Sequence, residues 1–152
     1  MSMIEQAVEV DCPVNSVYNQ WTQFEQFPMF MEDVEKVEQI DDTHLHWTAE
    51  IAGKKKEWDA RITEQIPDDR IAWTAEDGTY NAGVVTFHKL ADNKTRVMLQ
   101  LKVEPDTLLE KAGDALGVIQ RRAKSDMERF KTFLESNGCQ VTGAWRGKVE
   151  QN

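Results

Sequence analysis

Three tryptophans stand at strand-like spacing in one stretch, HWTAEIAGKKKEWDARITEQIPDDRIAWTAEDG, from His46 to Gly78. Alternate residues of a strand share a face. Trp47 then shares its face with Leu45, Ala49 and Ile51, Trp58 with Ala60 and Ile62, and Trp73 with Ile71 and Ala75. Three indoles on one sheet face can form a flat wall for an apolar ligand, or can fill a core outright. The same parity turns His44, His46, Thr48 and Glu50 outward, with Glu57, Asp59, Arg61 and Thr63. His44 and His46 make an H-x-H, which can hold zinc if a third ligand joins. No Cys or third His stands nearby, so no metal or cofactor is expected. Glu57 and Asp59 read as a solvated face. Acid–base work in a cavity needs an inward polar side chain, and Trp58, Ala60 and Ile62 supply none. Tyr80 and Arg61 remain as catalytic candidates, Arg61 only if a bulge turns it inward. No phosphate loop, dinucleotide fingerprint, Ser-His-Asp order or Cys-His pair occurs.

The elements that must position these residues follow from periodicity. The repeated W-T-A-E marks one half-buried pattern on two strands, because the flanking sequence does not repeat. Alternation predicts a first strand at 3–10 and six more at 34–40, 44–52, 55–65, 70–76, 80–90 and 95–104. Turn residues in DDT, AGK, PDD, DGT and ADNK separate them, and links this short join only antiparallel neighbours. After the first strand, Val14, Val17, Tyr18 and Trp21 recur at helical spacing, with Asp11 a candidate cap and Pro13 in the first turn. Pro28 is expected to end that helix, and a second short helical turn follows. Leu109, Ala112, Leu116, Ile119, Ala123, Met127, Phe130 and Leu134 form one stripe on a long helix closed by Gly138. Gly113 and Gly117 weaken its first half, so residues 109–117 are a candidate gate beside the FEQFPMFM turn.

A chain of 152 residues suits a single domain, read as 1–138 with a tail at 139–152 in which Trp145 is expected to dock. The formal net charge of −9 opposes binding to nucleic acid or to anionic membrane surfaces. No apolar run is long enough to span a bilayer, and no signal peptide is evident. The run GKKKEW protects a hairpin or edge more readily than it binds phosphate. Cys12 and Cys139 lack C-x-x-C spacing and read as two free thiols in a reducing cytoplasm, which sets the expected location.

The segments CPVNSVYNQWTQFEQFPMFMEDVEKVEQID, KKEWDARITEQIPDDRIAWTAEDG, NAGVVTFHKL, TRVMLQLKVEP, SDMERFKTFLE and TGAWRGKV resemble the START-like (SRPBCC) superfamily. The closer resemblance is to its bacterial polyketide cyclase/dehydrase branch. It implies an α+β helix-grip fold: a seven-stranded antiparallel curved sheet wrapped around a long C-terminal helix, with two short helices after the first strand. It also implies an apolar cavity between sheet and helix. Sheet and helix each present one apolar face, which agrees.

The expected partner is a hydrophobic small molecule: a lipid, a quinone or a polyketide-like aromatic. The expected lining is Trp47, Trp58, Trp73, Tyr80, Phe87, Met98, Leu116, Ile119, Met127 and Phe30, with Phe24, Phe27 and Met31 near the entrance. Binding or carriage is one reading. A cyclase or dehydratase acting in the same cavity is another, and an accessory protein that binds a partner through its sheet or tail is a third. Oligomeric state is open, a homodimer among the options.

Overall fold

The computed structural model describes residues 2–51, 53–76, 81–103, 115–141 and 143–150. In chain order the elements are β1 (Ser2–Val10), α1 (Val14–Trp21), a 3-10 helix (Phe24–Met29), β2 (Val34–Gln39), β3 (His44–Ile51), β4 (Lys54–Ile66), β5 (Arg70–Ala75), β6 (Asn81–Ala91), β7 (Lys94–Val103) and α2 (Ala115–Ser136). The strands form one antiparallel sheet in the order β1-β7-β6-β5-β4-β3-β2. The sheet curves as a half-barrel against α2, the helix-grip arrangement. Each strand lies within a residue of the range that alternation predicts. Period-two patterning is strong here because one sheet face is buried.

The core is built from both sides. Ile4, Val10, Val37, Leu45, Ile62, Ile71, Val85, Phe87, Val97 and Leu99 come from the sheet, and Ala123, Met127, Phe130 and Leu134 from α2. Val17, Tyr18 and Trp21 of α1 and Phe24, Phe27 and Phe30 around the 3-10 helix close one end. Edge-to-face ring contacts hold this end together. Phe130 meets Trp21 at 5.0 Å and Phe30 at 5.2 Å between centroids, and Tyr18 meets Phe87 at 5.3 Å. At the far end of α2, Gly138 takes a φ of 64° and the chain turns out of the helix there, as the spacing predicts.

Two local expectations are corrected around α1. Asp11 does not cap it. Pro13 holds the N-cap position in extended conformation, and the Asp11 backbone N–H instead donates to Glu135 Oε2 at 2.8 Å. The helix also ends at Trp21, before Pro28. Thr22 stops it by donating its hydroxyl to the Asn19 carbonyl at 2.6 Å, and Pro28 lies inside the 3-10 helix.

The cysteine expectation is overturned. Cys12 and Cys139 form a disulfide with Cα atoms 5.6 Å apart across a separation of 127 residues. The fold brings the start of α1 beside the end of α2, which spacing along the chain does not reveal. The free-thiol argument for a reducing compartment goes with it. Among the described residues no helix is long and apolar enough to cross a membrane.

Beyond the disulfide the tail lies across the domain as a strap. The Trp145 backbone N–H donates to Thr22 Oγ1 at 3.1 Å. Arg146 reaches Asn19 Oδ1 at 2.6 Å and Asp68 Oδ2 at 2.8 Å, and its guanidinium sits 5.4 Å from the centre of the Tyr18 ring. Val149 pairs with Gln65 on β4 through two backbone hydrogen bonds of 2.7 and 2.8 Å. A Cβ at Gly147 would lie 2.4 Å from the Trp145 ring, so only glycine lets the indole fold back at that position.

Candidate functional site

Cross-strand pairing brings two of the three tryptophans together. Trp47 on β3 and Trp58 on β4 are directly opposed, and their rings stack at 5.8 Å with planes 7° apart. A chain of rings leads to them from α2: Phe133 to Phe30 at 5.7 Å, Phe30 to Phe27 at 5.5 Å, and Phe27 to Trp47 at 5.6 Å. Trp47 packs partly buried against the core, and Trp58 extends the stack beyond it, half-buried and outside the core cluster. The Trp47 indole N–H is buried without an acceptor. Trp73 on β5 lies on the same sheet face, next to Ile62 across the ladder. Its ring covers Gly83 of β6, where a Cβ would meet Trp73 at 2.7 Å and the Gln100 carbonyl at 2.9 Å. Glycine is what allows an indole to lie flat on that strand.

The remaining expected lining residues divide by burial and face. Phe87, Met127 and Phe30 are buried at 4%, 2% and 2% exposure and belong to the core. Ile119 is partly buried against it. Phe24 and Phe27 are also sealed inside, and Met31 packs beside them, so these rings form a plug at the described end of the sheet. Met98 is a correction. It pairs with Thr86 and Ala7 while Val97 and Leu99 take the buried positions, so Met98 belongs to the outer face. Tyr80 and Gly113 lie outside the described residues, as does the Leu116 side chain. The expectations for a phenol in the cavity and for a gate over 109–117 fall there too. One open groove of about 460 Å³ runs beside α2, lined by Met29, Ser125, Glu128, Arg129, Thr132 and Phe133. None of the three tryptophans reaches it.

Arg61 stands on the outer face. It pairs with Thr74 across the ladder, and its Nε lies 3.7 Å from Glu76. A bulge does occur in β4, but after Ile62, between Ile62 and Glu64. It resets the parity, so Gln65 turns inward opposite buried Ile71 and is itself 0% exposed. Plain alternation from Trp58 would have turned Gln65 out. Both of its amide atoms, together with the Tyr18 hydroxyl and Asp68 Oδ1, are buried without a well-aligned hydrogen bond, Gln65 and the Tyr18 hydroxyl lying close enough to interact only with each other. Each such group costs about 1–3 kcal/mol while it stays unsatisfied. Burial raises the Tyr18 phenol above its ordinary range, against the opposing pull of Gln65 and Arg146.

The outer-face histidines are each clasped between carboxylates. His46 Nδ1 lies 2.7 Å from Asp59 and Nε2 lies 3.3 Å from Glu57. His44 Nδ1 lies 2.9 Å from Asp41 and Nε2 lies 3.2 Å from Glu76. Among the described residues no group of three His, Cys, Asp or Glu has the geometry to hold a metal. Hydrogen bonds to Asp59 and Glu57 raise His46 above its usual 6.5, and a hydrogen bond to Asp41 raises His44 likewise. A raised folded-state value means the pairs stabilise the fold fully below pH 6.5 and lose that contribution as pH rises through the folded value. Both rings are partly exposed, so the effect on stability is small. NMR titration of the His46 ring is expected to give an apparent pKa above that of an unfolded peptide. Asp59→Asn should return it toward the peptide value, and an unmoved curve would mean that the clasp does not exist in solution.

A seven-stranded sheet gripping one long helix, with aromatic rings on the gripping face, defines a START-like domain. Residues 10–132 match the family described as polyketide cyclase / dehydrase and lipid transport, and the chain belongs to that family. It is 55% identical over 150 residues to an uncharacterised 17.2 kDa protein from the melC2–rnhH intergenic region of Streptomyces lincolnensis, covering 98% of this chain and 99% of that one. A solved protein of Deinococcus radiodurans is 25% identical with a TM-score of 0.71, over 90% of this chain and 99% of its own. The Zhui aromatase/cyclase of Streptomyces sp. R1128 superposes with a TM-score of 0.73 over 95% of this chain and 99% of its own, at 17% identity, a likeness of fold.

Proposed function

We propose that the protein binds a hydrophobic small molecule against the tryptophan face of the sheet, and that a lipid, a quinone or a polyketide-like aromatic is its ligand class. The observation that carries this reading is the Trp47–Trp58 stack, whose outer plate lies beyond the buried core. A large apolar ring left partly exposed at the end of an aromatic chain, beyond the core, is suited to continue that chain with a flat guest. Membership of a family that includes lipid transport supports the same class. Turnover would need an acid–base group at the ligand. Of the two candidates, Arg61 stands on the outer face and Tyr80 lies outside the described residues, and binding or carriage is the activity favoured here.

The test uses N-phenyl-1-naphthylamine, an uncharged flat fluorophore, with purified protein. Binding should enhance its emission and quench tryptophan. Trp58→Ala should leave the fold intact, because the ring lies outside the core, and weaken binding about tenfold, the equivalent of one lost stacking partner. A folded Trp58→Ala protein with unchanged affinity would remove the tryptophan face as the site. Extraction and mass spectrometry of the native protein would then identify what it carries.

A further inference from the structure

We propose that the Cys12–Cys139 pair is a redox latch: oxidised, it holds the C-terminal strap closed over a buried polar floor of Tyr18 and Gln65, and a dithiol reductant releases it. The two cysteines are unequal partners. Cys12 is 0% exposed, and its carbonyl accepts a 2.9 Å hydrogen bond from Thr95 Oγ1 in the core. Cys139 is partly exposed and has a φ of 63°, a left-handed conformation that side chains with a Cβ disfavour. It follows Gly138, also left-handed at 64°, so two successive residues of this kind redirect the chain from α2 onto α1. Such a conformation persists where its surroundings impose it. Here the bond to an immobile Cys12 helps to impose it.

What the strap covers favours opening. The Tyr18 hydroxyl, both Gln65 amide atoms and Asp68 Oδ1 are buried without well-aligned hydrogen bonds while it is closed, Tyr18 and Gln65 facing only each other, and water would complete their bonding once it lifts. The contacts that hold it are the screened Arg146–Asp68 pair, the Arg146–Asn19 bond, the Arg146 guanidinium over the Tyr18 ring, the backbone N–H of Trp145, the Val149 bridge and the partial packing of Val141 and Val149 on the core. Release is thiol–disulfide exchange. A thiolate of the reductant attacks the accessible Cys139 sulfur, the disulfide breaks, and Cys12 leaves as thiolate and takes a proton. The second thiol of the reductant then attacks the mixed disulfide and frees Cys139. The cysteine pair gains two electrons and two protons, and the reductant departs as its cyclic disulfide.

The strap carries its own reporters. Trypsin can cut after Arg146 and Lys148, and cleavage there followed by mass spectrometry compares air-oxidised protein with protein held in dithiothreitol. Cleavage at those two sites is expected to rise about tenfold on reduction, the scale of one relaxed left-handed residue, with far-UV circular dichroism unchanged. Tyr80→Phe leaves Tyr18 as the sole tyrosine of two. In that background the absorbance titration of the phenol should move toward an ordinary tyrosine when the pair is reduced. Cys12→Ser should reproduce both changes without reductant. Equal cleavage and equal titration in the two states would overturn the latch, as would two free thiols in air-oxidised protein. Loss of circular dichroism with cleavage throughout the sheet would also overturn it, because the pair would then brace the whole domain.

Discussion

Phe130→Ala is expected to lower the free energy of unfolding by about 3–5 kcal/mol, the usual range for a buried aromatic cut to alanine. Phe130 is 0% exposed and sits where three elements meet. It projects from α2, its ring edge meets Trp21 of α1, and a second edge-to-face contact joins it to Phe30 after the 3-10 helix. Removal opens a cavity bounded by aromatic rings, which are too rigid to fill it. It also deletes two aromatic pairs, each worth about 0.5–1.5 kcal/mol beyond area burial. Urea unfolding should show a lower midpoint with an unchanged slope. Phe130→Leu, which keeps most of the volume, should recover more than half of the loss. A loss below about 1 kcal/mol for the alanine variant would mean that α2 does not dock through this ring.

Breaking the disulfide is expected to cost about 5 kcal/mol, since closing so long a loop removes much entropy from the unfolded chain. The bond spans 127 residues, nearly the whole chain. The tail meets the core that Phe130 organises only through the partly buried Cys139, Val141 and Val149, so the reduced protein should remain folded at room temperature with a lower urea midpoint and a smaller unfolded-state constraint. Reduced and oxidised protein with the same midpoint would show that the unfolded chain gains nothing from the bond. The two experiments separate cleanly: the ring acts through the folded state and the disulfide mainly through the unfolded one.

The strands and the faces of their residues were legible from residue alternation because most inward positions carry Val, Ile, Leu, Ala or Trp and most outward ones carry charge. The same rule placed Trp47 and Trp58 on one face, and the ladder then set them opposite each other. Where alternation alone was used, a bulge defeated it. Nothing in RITEQI marks the extra residue that turns Gln65 into the core, since a bulge is fixed by pairing with Arg70–Ala75 across the ladder. Met98 was legible in principle: Val97, Leu99 and Leu101 alternate around it, and hydrophobicity alone outweighed parity in assigning it to the lining. The disulfide and the strap were not legible. Both depend on tertiary proximity between segments more than a hundred residues apart, and the tail has no periodicity to betray where it lands. Trp145 followed by Gly147 was the one local sign, a ring that needs a neighbour without a side chain.

β4 is longer than either neighbour, and this has a consequence for handling the protein. Its ladder with β3 ends at Arg61, while the strand runs on to Ile66. The last residues therefore have a sheet edge that β3 does not cover. Val149 covers it by taking both the N–H and the C=O of Gln65. Exposed edges recruit other strands. Any truncation that removes Val149 leaves an adhesive edge beside a patch containing Tyr18, and such a fragment would self-associate at concentrations where the intact chain stays dispersed. The last residues of the strap thus act as a guard against aggregation, and expression boundaries belong beyond them.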